Sequence, residues 1–326
     1  MKHFDVFNGD ADGICALHQL RLASPLESVL ITGVKRDIVL LARVSAQAGD
    51  ALTVLDISLD ENRHALSALL RRGVTAEYFD HHFSGMIPQH PNLRVHIDTS
   101  PDVCTSILVD RHLSGKYRLW AIVATFGDNL PSQAEGLAHR CGLQPVQIRQ
   151  LQQLGESMNY NAYGDTEADL LIRPAVLYQA LRPYQNPFDF IAAEPVLRAL
   201  TEGRRQDMAM AMKLKAETLL PGGAIFVLPN QAWARRVRGS FANYLAGSAV
   251  DRAHAVLCED AQGDYTVSVR AAFAAPYGAD RLCRRFSGGG GRALAAGIDH
   301  LSRDQIPALL RAFAEEFRGD GSFGAG

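Results

Sequence analysis

Residues 4–22 read FDVFNGDADGICALHQLRL, and the order of properties along them decides the fold class. Phe4 to Phe7 is a short strand-like run, Asn8 to Asp12 is rich in turn and cap residues, and Gly13 to Leu22 carries a helical pattern. The alternation then repeats. Ser28 to Val34 reads as a strand and Asp37 to Gln47 as a helix, Leu52 to Ile57 as a strand and Glu61 to Arg72 as a helix, with further strands at Thr75 to Phe79 and Leu93 to Ile97. Strands separated by helices of about ten residues or more imply right-handed crossovers and a mostly parallel sheet covered on both faces. The N-terminal region is therefore expected to be an α/β domain.

Beyond it the pattern is helical from about Thr105 to Leu181. The apolar stretch Leu119 to Phe126 fits either a strand or a buried helix, and the helix is preferred. Pro174, Pro183, Pro187 and Pro195 break up the end of this region and the segment after it, and Pro195 suits the first position of a helix. Helical propensity runs from Val196 to Leu220 and stops at Pro221-Gly222-Gly223. Strands at Ala224 to Leu228 and Tyr265 to Ala272, with helices at Ser240 to Leu245 and Gln305 to Phe317, describe a second, smaller α/β domain. The expected division is 1–194, a linker helix over 195–221, a second domain over 222–318, and a Gly-rich tail, 319–326, expected to be disordered. No internal repeat is found.

Composition removes several classes of function. Of 326 residues, 47% are hydrophobic and 21% charged, which suits a packed soluble protein and excludes disorder over most of the chain. Lys and Arg number 33 against 35 Asp and Glu, a net charge of -2 that gives no footprint for long duplex nucleic acid while leaving room for a local basic pocket. Cys15, Cys104, Cys141, Cys258 and Cys283 are odd in number and never in a C-x-x-C pair, so they read as small buried hydrophobes in a reducing compartment. Neither a signal peptide nor an apolar run of the roughly 18 residues that suggest a membrane span is found. A cytoplasmic location is expected, with no membrane partner and with room for a homodimer.

In an open parallel sheet, ligands bind beyond the carboxyl ends of the strands. Acids gather there. Asp10 and Asp12 follow the first strand, Asp56 ends the third, Asp80-His81-His82 ends the fourth and Asp98 the fifth, while Asp128 closes the apolar run Leu119 to Phe126. Singly, each has an ordinary explanation, Asp12 as a helix cap and Asp98 before Thr99 and Ser100 as turn chemistry. Together they would repel one another and raise each other's pKa unless a cation neutralised them. Carboxylates joined by one imidazole suit Mn²⁺ or Mg²⁺ better than Zn²⁺ or copper.

Asp80-His81-His82, preceded by Asp10-Ala11-Asp12-Gly13 and Asp56 and followed by Asp128, resembles the DHH phosphoesterase superfamily over residues 4–130, with four motifs in the family's order. Its members include RecJ-like exonucleases, nanoRNases, cyclic-dinucleotide phosphodiesterases, pyrophosphatases and exopolyphosphatases. The C-terminal region resembles the DHH-associated domain. Phe286-Ser287-Gly288-Gly289-Gly290-Gly291-Arg292 matches its glycine-rich substrate loop, and Tyr265 to Arg270 its arginine-bearing strand. Glycines let backbone N–H groups approach phosphate oxygens, a following helix N-terminus favours an anion, and Arg270 and Arg292 add charge-assisted donors. A helical start is expected at Ala293 to Gly297.

The resemblance implies two Mn²⁺ ions, with Mg²⁺ as the substitute. Asp56 bridges them, Asp10 with Asn8 serves one, and Asp12, His81 and Asp128 serve the other. It also implies catalytic roles for His82, which orients or protonates a phosphate oxygen, and for Asp80, which holds a histidine. Two positions depart from the family pattern. Arg292 stands where His is usual after the glycines, and Val6 stands where many members carry a histidine ligand, with Asn8 as a neutral oxygen donor nearby. With metals in one lobe and arginines in the other, catalysis is expected to need closure of a cleft.

The activity expected is hydrolysis of short oligonucleotides or linear dinucleotides to mononucleotides, with Phe273, Tyr277 and Phe286 as candidates for base stacking. The alternatives are a phosphoanhydride hydrolase acting on polyphosphate or pyrophosphate, and a non-catalytic nucleotide-binding module.

Overall fold

The computed structural model describes residues 1–318 and divides into two compact units, Met1–Gly203 and Arg204–Gly326. The tail expected to be disordered, 319–326, lies outside the described residues.

In the first unit, β1 (His3–Phe7), α1 (Ala11–Ala23), β2 (Val29–Ile31), β3 (Ala51–Leu55), α2 (Leu59–Arg71), β4 (Thr75–Asp80) and β5 (Leu93–Ile97) build a five-stranded sheet in the order β2-β1-β3-β4-β5. Every pairing in it is parallel. Parallel strands buried on both faces need continuous apolar sequence, and Val6, Phe7, Val54, Leu55, Tyr78 and Phe79 are all fully buried. The chain steps outward on one side of β1 and then on the other. The crevice at that reversal opens at the carboxyl ends of β1 and β3.

The helices α3 (Thr105–His112), α4 (Arg118–Gly127), α5 (Pro131–Arg140), α6 (Pro145–Asn161), α7 (Pro174–Leu181) and α8 (Pro187–Ala193) come next. The stretch Leu119 to Phe126 is indeed helical, lying within α4. Helix α4 is buried from Trp120 to Gly127, which accounts for the lack of charged residues there. Helices α4 and α6 touch backbone to backbone: a Cβ at Gly155 would press on the Val123 carbonyl and the Gly127 amide.

Helix α9 (Pro195–Ala211) opens on Pro195 and carries the boundary between the units. In the second unit, β6 (Thr218–Leu220), β7 (Gly223–Leu228), α10 (Ala232–Ser248), β8 (Ala253–Glu259), β9 (Tyr265–Arg270), α11 (Ala279–Cys283), β10 (Gly289–Gly291), β11 (Ala295–Leu301) and α12 (Ile306–Glu316) form a six-stranded sheet, order β10-β11-β9-β8-β7-β6, with its helices. Only β7 and β8 are parallel, joined through α10. The core of this unit includes Val267, Val269, Ile298, Leu301, Leu309 and Phe313.

Several local expectations are corrected. Asp37 to Gln47 forms a single 3-10 turn, Leu40–Arg43, and not a helix. The side-chain amide of Asn62 takes its place in the hydrogen bonding, donating to the Ile38 carbonyl at 2.6 Å and accepting from the Leu41 N–H at 3.1 Å. The helix expected over 195–221 ends at Ala211, because Thr218–Leu220 pairs antiparallel with β7 across the Pro221-Gly222 turn. Strand β8, absent from the sequence reading, is buried from Ala253 to Cys258 and is the partner of both β7 and β9. Cys141 is exposed, whereas the other four cysteines are buried. Among the described residues, no helix is long and apolar enough to cross a membrane.

Candidate metal centre

Strand register brings the acids to one level. Phe7 lies opposite Leu55 and Leu55 opposite Phe79, so the residues just beyond them, Asn8, Asp56 and Asp80, leave the sheet side by side. Asp10 caps α1, one carboxylate oxygen accepting the N–H groups of Asp12 at 2.9 Å and Gly13 at 3.1 Å. Its other oxygen receives the Lys35 ammonium. Burial pushes the Asp10 carboxyl up, but the charge and hydrogen bond of Lys35, with the Gly13 N–H, outweigh it and leave Asp10 below the usual range.

Asp12 reaches into the first turn of α3. The N–H groups of Thr105 and Ser106 donate to its two oxygens, each at 2.7 Å. A carboxylate at a helix N-terminus is electrostatically well placed. Even so, burial and the negative charges of Asp56 and Asp10 push its pKa up to about 7 against the opposing pull of His81 and Ser106. Asp56 has a left-handed backbone, φ +60°, held by its N–H on the Phe79 carbonyl at 3.0 Å. A non-glycine residue in that region costs on the order of 1–3 kcal/mol and persists only where its surroundings enforce it. The Thr105 hydroxyl donates to its Oδ1 at 3.1 Å. Burial and the Asp10 charge raise Asp56 to about 6.

His81 Nε2 lies 3.4 Å from Asp56 and 3.9 Å from Asp128. Burial alone would lower its pKa, but the hydrogen bond and charge of Asp56, with Asp12 and Asp128, raise it to about 10. Asp128 ends α4, and burial lifts its carboxyl, with Lys35 opposing and Asp12 and Asp10 adding to the rise. The ligand atoms of Asp12, His81 and Asp128 lie within 4.8 Å of one another, as do those of Asp56, His81 and His82. This donor set, oxygen with imidazole nitrogen, suits a hard divalent cation, and the raised carboxyls mark negative charge that such a cation would neutralise.

Asp80 is fully buried, and its Oδ1 takes the His82 Nδ1 at 2.7 Å and the His81 N–H at 2.9 Å. Among the described residues nothing hydrogen-bonds to its Oδ2. The other candidates fall elsewhere. Asn8 is occupied by backbone, accepting from the Asp10 N–H and donating to the Lys35 carbonyl, each at 3.2 Å. Asp98 accepts from the Ser100 N–H and from Arg111, a turn and surface role.

In the second unit the glycine run is a strand. Gly289–Gly291 pairs antiparallel with Ala296–Ile298, so Ala293 to Gly297 belongs to a hairpin and no helix N-terminus follows the glycines. Arg292 is the exposed corner of that hairpin, exchanging backbone hydrogen bonds with Ala295. Gly291, at φ +136°, has a conformation that side chains rarely adopt. Gly288 precedes the strand, and the Arg270 guanidinium donates to Asn243 at 2.7 Å. Phe273 and Tyr277 are exposed, whereas Phe286 packs against the core.

The sequence reading missed Lys35, Thr105, Ser106 and Asn159. None of them carried a distinguishing signal: Lys35, just beyond β2, is followed directly by a second cation, Arg36.

No protein-family profile and no curated protein sequence matches the chain. Its architecture matches solved structures. A manganese-bound RecJ exonuclease superposes with a TM-score of 0.62 at 19% identity, over 97% of this chain and 90% of that one. The fold is that of RecJ. RecJ of Thermus thermophilus in complex with Mn²⁺ gives a TM-score of 0.57 at 18% identity; this chain is covered over 96% and spans about half, 51%, of the Thermus chain. PggH, a pGpG-specific phosphodiesterase of Vibrio cholerae, gives 0.58 at 14% identity over 98% of this chain and all of that one. The motif resemblance and the architecture thus agree that this is a RecJ-type fold.

Proposed function

We propose that the chain is a divalent-metal-dependent phosphodiesterase of the DHH type that hydrolyses linear dinucleotides or short oligonucleotides to mononucleotides. The observation that carries this is the convergence of Asp12, Asp56, His81 and Asp128 at the reversal point of a parallel sheet. Mn²⁺ is the proposed ion, with Mg²⁺ as substitute; among the fold neighbours, RecJ is seen bound to manganese and PggH is a pGpG-specific phosphodiesterase. An ion held there by Asp12, Asp56, His81 and Asp128 would supply an activated water and withdraw charge from a phosphate oxygen. His82, steered by Asp80, orients or protonates that oxygen. The second unit is proposed to grip the substrate through Arg270, Arg292 and the backbone of Gly288, Gly289, Gly290 and Gly291. Exposed Phe273 and Tyr277 are proposed as stacking surfaces for bases. The cytoplasm, a reducing compartment, is the proposed location, in keeping with five cysteines that form no disulfide among the described residues.

Purified protein is incubated with a panel of linear dinucleotides, short oligonucleotides and polyphosphate, with Mn²⁺ and with EDTA. Mononucleotide release that EDTA abolishes is the expected outcome. Faster phosphate release from polyphosphate would transfer the assignment to a phosphoanhydride hydrolase, and tight dinucleotide binding without turnover to a binding module.

A further inference from the structure

The Lys35 ammonium occupies an unusual position for a lysine. It bonds to a carboxylate oxygen of Asp10 and is also 3.1 Å from Asn159 Oδ1 and 3.6 Å from Asp128 Oδ1. Its side chain is only 26% exposed, and the Tyr163 ring lies 5.8 Å from the ammonium. Its backbone is anchored as well, the N–H donating to the Ala162 carbonyl at 2.9 Å and the carbonyl accepting from Asn8. Each carboxylate oxygen of Asp10 has a partner, one in capping α1 and the other the ammonium, whereas the partners of the Asp12 oxygens are backbone N–H groups that carry no full charge. Asn8 is tied to backbone on both sides of its amide, and Val6 offers no donor. Among the described residues, the possible ligand atoms that lie within 4.8 Å of one another group as Asp12, His81 and Asp128 and as Asp56, His81 and His82, and neither group includes Asp10.

We propose that Lys35 is a built-in cation that takes the place of one divalent ion, so that the resting chain holds a single tightly bound metal on the Asp12, Asp56, His81 and Asp128 side. Four carboxylates meet in this centre, Asp10, Asp12, Asp56 and Asp128. One fixed ammonium and one divalent ion supply three positive charges against them, whereas two divalent ions beside the ammonium would crowd like charges in a partly desolvated site. A lysine serves here because its ammonium is a compact point charge that needs no coordination geometry. The role is a positioning one: Lys35 holds Asp10 against the head of α1 and sets the number of resident ions. The inference rests on the divalent-metal reading proposed above.

The test is the number of Mn²⁺ ions held by the full chain, measured by equilibrium dialysis with electron paramagnetic resonance of free Mn²⁺, without substrate. Wild type is expected to hold one tight ion. Lys35→Met is expected to hold two, the second gained through an affinity increase of roughly tenfold or more once the competing charge is gone. Lys35→Arg, which keeps the charge, is expected to remain at one, and circular dichroism reports whether each variant is folded. Two ions of similar affinity in wild type would overturn the proposal whatever the variants do, as would a folded Lys35→Met protein that still holds one. Absence of Mn²⁺ binding in wild type would overturn the metal reading itself, and the inference with it.

Discussion

Asp10, Asp12 and Asp56 are the same residue type within one centre, yet their proton affinities diverge, and the partners decide the direction. Asp10 has an ammonium and falls below the usual range, whereas burial with the Asp56 charge raises Asp12 to about 7 and burial with the Asp10 charge raises Asp56 to about 6. A carboxyl whose pKa is raised on folding binds its proton more tightly in the folded chain. Its contribution to stability is complete below the unfolded value, near 3.8, and is lost as pH rises through the folded value. His18, lowered by burial to about 4, works in the opposite sense over the same range, but the two carboxyl rises together are larger, so metal-free protein should lose stability between about pH 4 and pH 7. Mn²⁺ should reverse the trend at the upper end, because it binds the ionised carboxylates of the folded state alone. Urea denaturation across that range, with EDTA and with Mn²⁺, checks both halves; a metal-free chain whose stability is flat over the window would refute the charge assignment.

At the scale of elements, the α4–α6 contact positions Asp128. Gly155 of α6 lies against the Val123 carbonyl and the Gly127 amide, one residue before Asp128. Gly155→Val would force the helices apart, and overpacking of this kind typically costs about 1–3 kcal/mol. The expected result is a lower denaturation midpoint together with weaker Mn²⁺ binding, since Asp128 moves with the end of α4. Lower stability with unchanged Mn²⁺ affinity would show that Asp128 is not held to the centre through this contact.

At the scale of the whole molecule, the proposal divides labour between two units, and paired substitutions separate the parts. Asp56→Ala removes the carboxylate nearest His81 and should abolish turnover at any Mn²⁺ concentration. Arg292→Ala removes an exposed guanidinium from the hairpin corner of the second unit and should leave metal content unchanged. Loss of a charged phosphate contact is worth about 1.5–3 kcal/mol, so its effect should be a rise in KM of roughly 10- to 100-fold with kcat little altered. Metal analysis alongside dinucleotide kinetics tests the division; full turnover by Asp56→Ala, or metal loss by Arg292→Ala, would overturn it.

Periodicity and turn chemistry are local properties, and the sequence by itself determined what depends on them: the parallel α/β sheet, the helical region after it, and an acid at the end of strand after strand. The resemblance carried by Asp80-His81-His82 and its companion motifs pointed to the fold that superposition on RecJ then bore out. Interactions across sequence distance were decided only in the tertiary structure. Asn62 dissolves the expected helix at Asp37 to Gln47, because a side chain 24 residues away supplies the hydrogen bonds that a helix would have made. Thr218–Leu220 and Ala295–Leu301 become strands, since pairing with β7 and β9 outweighs weak local helix preference. The partners of the acids were equally out of reach. Lys35 meets Asp10 across 25 residues and Thr105 meets Asp12 across 93, and no spacing rule connects groups that only the folded sheet brings together.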